Sequence, residues 1–366
     1  MRATIAHDFI WGYAGSERVL EAIAHLRPEA DVWAILGSRE VARRMGVEER
    51  FHTVLPDSEL LLRRYRALTP LYPAIVRARR LPAADVLITS SFAFANGFRT
   101  TNRAPQLCYC HTPLRFAWSM TEEYGRELPG GGLSTRMLGL LAGAMRRGDR
   151  RRAAGVTRFV ANSGWVAEQI RRYYDRPATI IRPPVDTSRF APAGDGHDGY
   201  FLFCGRLIEP YKRPTAVVEA FRRLGLPLVM AGDGPARAAL ERDAPPNVTF
   251  TGEIGDDELI PLMQRCAALV FPSHDDFGLL PVEVMACGRP VLAYAGGGAL
   301  ETVVAGETGE FFDEQSATAI AAAVERFDPG AYDQARLRAR AEEFGLTRFR
   351  EAMASEIDAA ARGERL

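Results

Sequence analysis

Short runs of β-branched and apolar residues alternate with longer segments of helical period along nearly all of this 366-residue chain, and that alternation restricts the fold more than any other feature. The short runs are RATIAH, DVWAIL, DVLITS, QLCYCH, RFVAN and ATIIR in the first half, then YFLFCG, LPLVMAG, VTFTG, AALVFPS and PVLAYAG. Between them lie SERVLEAIAHL, SGWVAEQIRRYY, TAVVEAFRRL and DDELIPLMQRC, each with apolar residues on one helical face. Strand then helix, repeated, predicts an α/β fold with parallel sheets covered on both faces. The rhythm breaks over 183–199, PPVDTSRFAPAGDGHDG, where Pro, Gly and Asp cluster and no period survives. That stretch is expected to be a linker between two doubly wound, Rossmann-like domains, 1–182 and 200–345. Residues 316–363 are almost wholly helical in pattern, and 346–366 are expected to form a C-terminal helix.

The totals exclude several classes of function. Acidic and basic side chains balance at 46 each, which leaves no global field to hold a polyanion, so nucleic acid is not an expected partner. The five cysteines (Cys108, Cys110, Cys204, Cys266, Cys287) include no C-x-x-C pair and no histidine at metal-ligand spacing. Four of them lie in strand-like or apolar surroundings and read as small buried thiols, and a reducing compartment with no metal site is expected. The start, MRATIAHDFI, lacks the apolar core of a signal peptide, and no segment has the run of about 18 apolar residues of a spanning helix. A cytoplasmic location is expected. The run RMLGLLAGAMRRGDRRR places Met137, Leu140, Leu141 and Met145 at helical spacing before five arginines. It reads either as a core-facing helix with a solvated basic end or as a peripheral dock on anionic lipid.

In open parallel sheets, ligands bind beyond the carboxyl ends of the strands, at loops leading into helix N-termini. Five such loops are chemically unusual: HDFIWGYAGSER, CHTPLRFAW, CGRLIEPYKR, AGDGP and PSHDDFG. CGRLIEPYKR holds the only lysine of the chain, Lys212; the other 45 of the 46 basic residues are arginine. Arg206 offers a planar fork and Lys212 a compact charge with three movable donors, a pair suited to a diphosphate. In PSHDDFGLLPVEVMA a helix is expected to begin near Gly278, with Asp275 in the loop and Glu283 one turn inside. The N–H groups of Gly278, Leu279 and Leu280 then face a ligand as unsatisfied donors. The same residues also serve a plain helix start, Asp275 as a cap. His111, at the end of CYCH beside Arg115 and Trp118, is either a structural imidazole or a neutral hydrogen-bonding group in a site. Gly15 opens a helix after the first strand, for the turn or for close approach of a ligand. The G-x-G of AGDGP lacks a third glycine and an acidic residue at a strand end, so a nicotinamide-dependent oxidoreductase is disfavoured.

Taken in order, HDFIWGYAGSERVLEAI, CYCHTPLRFAW, FVANSGWVAEQIRRYY with PPVD, GRLIEPYKRP, VTFTGEIGDDEL and DDFGLLPVEVMACGRPVLAYAGGGALETV resemble the retaining glycosyltransferases of family 4, which have the GT-B fold, and within them a bacterial mannosyltransferase group. The resemblance implies two Rossmann-like domains facing across a deep cleft, acceptor side first and donor side second, with the C-terminal helix packing back on the N-terminal domain. It also implies transfer of a hexose from a nucleotide sugar, GDP-mannose first, to a glycan, glycolipid or lipid-linked acceptor; with Arg206 and Lys212 supplying the positive charge a divalent ion would bring, no metal or cofactor is expected. UDP- or dTDP-sugars with a natural-product acceptor, or a noncatalytic nucleotide-sugar-binding protein, are the alternatives.

By the same resemblance Arg206 and Lys212 clamp the diphosphate and Glu283 holds the ribose. Leu279 and Leu280 N–H groups meet phosphate, His111 lies near the transferred sugar, and Gly15 nears the diphosphate. The chain departs from the family pattern twice: Asp275 stands where glutamate is usual, and Ala14-Gly15 where a Gly-Gly pair is common.

Overall fold

A computed structural model describes residues 1–58, 61, 65–118, 131–194 and 196–366, without the side chains of 66, 67 and 131–141. The chain divides into two compact units, Met1–Pro184 with Phe349–Leu366, and Val185–Arg348.

The first unit is built on a parallel sheet of seven strands in the order β3-β2-β1-β5-β7-β8-β9. These are β1 (Ala3–Ile10), β2 (Asp31–Gly37), β3 (Phe51–Thr53), β5 (Val86–Ser91), β7 (Gln106–Cys110), β8 (Arg158–Ala161) and β9 (Thr179–Ile180); β4 (Arg80–Leu81) and β6 (Arg99–Thr100) pair separately. All eight residues of β1 are buried, as expected of a central parallel strand with helices on both faces. The strand runs on past His7 through Asp8 to Ile10, residues that the sequence assigns to the following loop. The helix Gly15–Leu26 follows it.

The helix Gly131–Ala154 carries the Arg-rich run. Met137, Leu140 and Leu141 lie outside the described side chains, while Met145 is buried. Three of the arginines are tied to the unit itself: Arg146 donates to Ala117 O, Arg150 to Tyr173 O and Arg152 to Asp149. Among the described residues no helix is long and apolar enough to cross a membrane. Residues Phe349–Leu366 belong to this first unit, where Glu356 accepts from Arg158 at 2.8 Å and from Thr179 Oγ at 3.1 Å, and Asp358 accepts from Arg27 at 3.1 Å.

The second unit has a six-stranded parallel sheet in the order β12-β11-β10-β13-β14-β15. Its strands are β10 (Phe201–Cys204), β11 (Leu228–Ala231), β12 (Val248–Gly252), β13 (Ala268–Phe271), β14 (Val291–Tyr294) and β15 (Gly309–Phe312). Within the stretch expected as a linker, Val185 and Phe190 are buried in the unit's core, and Val185 N donates to Phe344 O at 2.8 Å. Arg338 holds the carbonyls of Thr187 and Phe190, both at 2.7 Å. An aperiodic segment satisfies its backbone through such side chains while inserting single apolar anchors, a pattern that composition does not reveal.

Candidate functional site

Lys212 and Asp275 meet at the carboxyl ends of two adjacent strands. β10 and β13 are neighbours in the sheet; the loop after β10 carries Gly205, Arg206 and Lys212, and the loop after β13 carries Asp275. Lys212 Nζ donates to both carboxylate oxygens of Asp275, at 2.9 and 2.7 Å, and each side chain is 17% exposed. The ammonium also lies 5.0 Å from the ring centre of Tyr211 and 5.7 Å from that of Phe271. Asp275 therefore serves as the counter-ion of the lone lysine, a role that the sequence did not suggest. Arg206, by contrast, is exposed, and its guanidinium makes no hydrogen bond or ion pair among the described residues. The expected two-cation clamp thus consists of one charge already held and one that projects into solvent.

Glycine geometry explains how the Arg206 loop is seated. A Cβ on Gly232 would come within 2.1 Å of Gly205 O, and one on Gly234 within 2.4 Å of Leu207 O. The G-x-G of AGDGP therefore lets the backbone after β11 lie directly against the 205–207 loop, which accounts for it without a dinucleotide. The Asp275 loop is held in the same manner: Gly298 N donates to Asp275 O at 2.8 Å, and a Cβ on Gly298 would collide with Phe277.

The helix Leu279–Ala286 starts immediately after Gly278, whose φ is 80° and which has no side chain to cap it. First-turn N–H groups of a helix have no partner within the helix and suit an anion. Glu283, one turn in and 6% exposed, is buried in this helix. Lys212, Asp275, Gly278, Leu279, Leu280 and Glu283 thus share the ends of β10 and β13, with an ammonium and a helix N-terminus as positive elements.

In the first unit, His111 follows β7 and is fixed on three sides. Its N–H donates to Ser91 O at 2.8 Å, its carbonyl accepts from Asn162 Nδ2 at 2.9 Å, and its Nε2 lies 2.8 Å from Ser90 Oγ. Asn162 belongs to the FVANSGW segment, whose Ser163 caps the next helix by accepting from Val166 N. Burial lowers the His111 pKa to about 3, so the imidazole is neutral at physiological pH.

Sequence reasoning missed two neighbours. His7, wholly buried, lies with its ring centre 6.2 Å from that of His111, and burial with the nearby second imidazole lowers its pKa to about 3. Asp8 accepts four backbone hydrogen bonds, from Phe92, Ala93, Phe94 and Ala95 at 2.5–2.9 Å, and so ties β1 to the turn after β5. The signal for both was an adjacent His-Asp pair inside an otherwise apolar run. Asp149 was missed as well. Fully buried, it accepts from Trp118 Nε1 at 2.8 Å, Tyr174 OH at 2.7 Å and Arg152 at 2.8 Å, anchoring the loop that begins at His111.

Gly15 is the first residue of its helix, and its φ lies outside the left-handed region. The turn alone does not require glycine there. Ala14 N and Ser16 Oγ both donate to the buried carboxylate of Glu17, which organises the helix start.

Comparison with known proteins agrees with this architecture. The family model described as Glycosyltransferase Family 4 matches residues 14–189, and that described as Glycosyl transferases group 1 matches residues 184–344. The O-antigen chain mannosyltransferase C of Escherichia coli is 36% identical over 103 residues, 26% of this chain and 28% of that protein. A D-inositol 3-phosphate glycosyltransferase of Salinispora tropica is 32% identical over 233 residues, 52% of this chain and 47% of that protein. The matched stretches span less than half the length of either relative.

Among solved structures, HepE of Anabaena in complex with UDP and glucose is similar over 98% of this chain and 100% of its own, with TM-score 0.67 and 17% identity. The sucrose-phosphate synthase of Thermosynechococcus elongatus is similar over 97% and 98%, with TM-score 0.68 and 17% identity. With two consecutive domain models spanning residues 14–344 and two Rossmann-like halves, the chain belongs to the family 4 glycosyltransferases of GT-B fold.

Proposed function

We propose that this protein transfers a hexose from a nucleoside diphosphate sugar to an acceptor hydroxyl with retention of anomeric configuration, and that mannose from GDP-mannose is the first donor to test. The observation that carries the reading is the partly buried Lys212–Asp275 pair in the loops that lead from β10 and β13, the second of them into the helix Leu279–Ala286. As the glycosidic C–O bond breaks, negative charge grows on the leaving diphosphate. Fixed positive groups stabilise that charge more than they stabilise the ground state.

In this reading Lys212 keeps its third N–H for a phosphate oxygen, Arg206 swings from solvent onto the diphosphate, and the Gly278, Leu279 and Leu280 N–H groups complete the cradle. Glu283 accepts from the ribose hydroxyls, and Asp275 orients both Lys212 and the sugar. These groups supply the positive charge a divalent ion would bring, and no cofactor is invoked. His111, held neutral, offers a hydrogen bond to a sugar hydroxyl. Gly15 leaves room for close approach of the donor.

The acceptor is proposed to be a glycan, glycolipid or lipid-linked oligosaccharide. The mannosyl choice is supported by the likeness to the E. coli mannosyltransferase, which covers 26% of the chain; UDP- and dTDP-sugars are the competing donors. The test is a panel of sugar nucleotides scored by thermal stabilisation, since a ligand bound only by the native state raises its apparent stability. GDP-mannose is expected to raise Tm more than UDP- or dTDP-sugars, and the rise should vanish in Lys212→Ala. A larger rise with another nucleotide would reassign the donor, and no response to any of them would refute the transferase reading.

A further inference from the structure

Ser90, near the end of β5, and His111, just past the end of β7, meet across adjacent strands of the first sheet. Ser90 is wholly buried, its Oγ lies 2.8 Å from His111 Nε2, and it has no other hydrogen-bond partner among the described residues. The rings around the imidazole offer no alternative. Tyr109, Phe92 and His7 pack against it edge to face, with ring centres 5.1, 6.5 and 6.2 Å away. Tyr109 OH is committed to Ile181 O at 2.9 Å, and neither ring nitrogen of His7 makes a hydrogen bond among the described residues. Nδ1 of His111 likewise has no partner among the described residues, but His111 is only half-buried and this nitrogen, unlike those of His7, is not sealed from solvent.

A distance between heavy atoms does not say which group donates, whereas a count of donors and acceptors does. If Nε2–H donated to Ser90, the serine proton would be left in a wholly buried place with no acceptor, a loss that folded proteins rarely carry. If Ser90 O–H donates to Nε2, every donor of the pair is used and only oxygen lone pairs remain spare. The second arrangement puts the imidazole proton on Nδ1, the nitrogen that Ser90 does not engage.

We infer that Ser90 is a positioning residue that holds His111 as its Nδ1–H tautomer, so that the imidazole meets a bound sugar as a hydrogen-bond donor to an oxygen and has no free lone pair with which to take the acceptor's proton. The part that concerns the sugar rests on the transferase reading above. The tautomer does not.

The test reads the tautomer directly. The full chain is labelled with 15N at its six histidines, and long-range 1H–15N correlations at neutral pH, where His111 is uncharged, tell a protonated ring nitrogen from a bare one. His111→Asn assigns the signals. Nδ1 protonated and Nε2 bare is the expected pattern, with no sugar nucleotide present. In Ser90→Ala the ring loses the bond that fixes it and the two nitrogens should move toward a common intermediate shift, while Ser90→Thr, which keeps the hydroxyl, should restore the wild-type pattern. A thermal melt checks that each variant is folded. A proton on Nε2 in the wild type, or an unchanged pattern in Ser90→Ala, would overturn the inference.

Transfer then tests what the proton is for. Asparagine carries its amide nitrogen as many bonds from Cβ as Nδ1, and glutamine as many as Nε2. His111→Asn should therefore keep more transfer than His111→Gln, and Ser90→Ala should lower kcat/KM about tenfold, the effect of misdirecting one hydrogen bond. His111→Gln as active as His111→Asn, or more so, would refute the donor role of Nδ1. If the wild type turns over no sugar nucleotide, the transferase reading fails, and the spectra alone still decide the tautomer.

Discussion

Replacing Lys212 by alanine separates its structural role from its chemical one, because the two predict different behaviour when Asp275 is also removed. The ammonium lies 2.7 and 2.9 Å from the two carboxylate oxygens, with both side chains 17% exposed. At the shorter distance and an effective dielectric of about 20, the gross attraction is about 6 kcal/mol, much of it offset by desolvation of the two ions. Deleting one partner of a fully buried pair costs about 3–5 kcal/mol, and the partial exposure here reduces the expected loss to about 2 kcal/mol. Chemistry should suffer separately. Losing one donor to the leaving diphosphate is expected to lower turnover by about 10²–10³-fold.

The cycle of Lys212→Ala, Asp275→Ala and the double variant therefore carries the argument. Urea unfolding should show Lys212→Ala destabilised and the double variant restored toward wild type, because no unpaired charge remains. Transfer from the sugar nucleotide, followed by release of nucleoside diphosphate in the presence of acceptor, should remain depressed in both. Lys212→Arg should keep the stability but lose turnover, since a fork facing the carboxylate directs its other donors away in one plane whereas the ammonium keeps a third, movable donor. If the double variant recovers turnover along with stability, Lys212 is only the counter-ion of Asp275 and the phosphate role is wrong. Wild-type turnover in Lys212→Arg would dispose of the compact-charge argument.

Two further outcomes test the first unit. His7 and His111 have pKa values lowered to about 3, while in the unfolded chain each titrates near 6.5, so between those values the unfolded state binds more protons and stability must fall as pH falls. From pH 7 to pH 5 each histidine is expected to remove up to about 2 kcal/mol, and His7→Leu should roughly halve the pH slope measured by urea unfolding; an unchanged slope would show that His7 is not buried neutral. Asp149→Ala strands the donors of Trp118, Tyr174 and Arg152 and should cost about 3–5 kcal/mol in the same assay, with Asp149→Asn milder; a loss below about 1 kcal/mol would mean that the loop after β7 is not anchored there.

The layered fold was legible because parallel strands covered on both faces leave uninterrupted apolar runs, and the helices between them keep one apolar face. β1, β2, β5, β7 and β8 in the first sheet, and β10 through β14 in the second, coincide with such runs. The elements left out are short and peripheral: β3 at one edge of the first sheet, β15 at one edge of the second, and the two-residue β4 and β6. An edge strand is covered less completely, so its sequence need not be continuously apolar. The unit boundary at Val185 falls inside the aperiodic 183–199 stretch, but periodicity could not show that most of this stretch packs into one unit.

The site was legible only in part, for a reason that follows from how charges are arranged in it. Residue types announced Lys212, Asp275 and Glu283, because a lone ammonium and acids at a helix start are conspicuous in any sequence. Pairing is a property of space, and nothing in the spacing of positions 212 and 275 says that they join. A sequence reader assigns each charge to a ligand when the folded protein has assigned one charge to another. The same error runs in the opposite direction at Asp8, where a carboxylate inside a strand looked like part of a ligand-facing loop. There the four N–H groups of the turn after β5 already occupy it, and burial pushes its pKa up while those donors pull it back. A ligand can recruit Lys212 by taking its remaining N–H without disturbing the ion pair. It could recruit Asp8 only by stripping four backbone donors, and that difference in cost separates a residue able to act on a substrate from one that holds the scaffold in place.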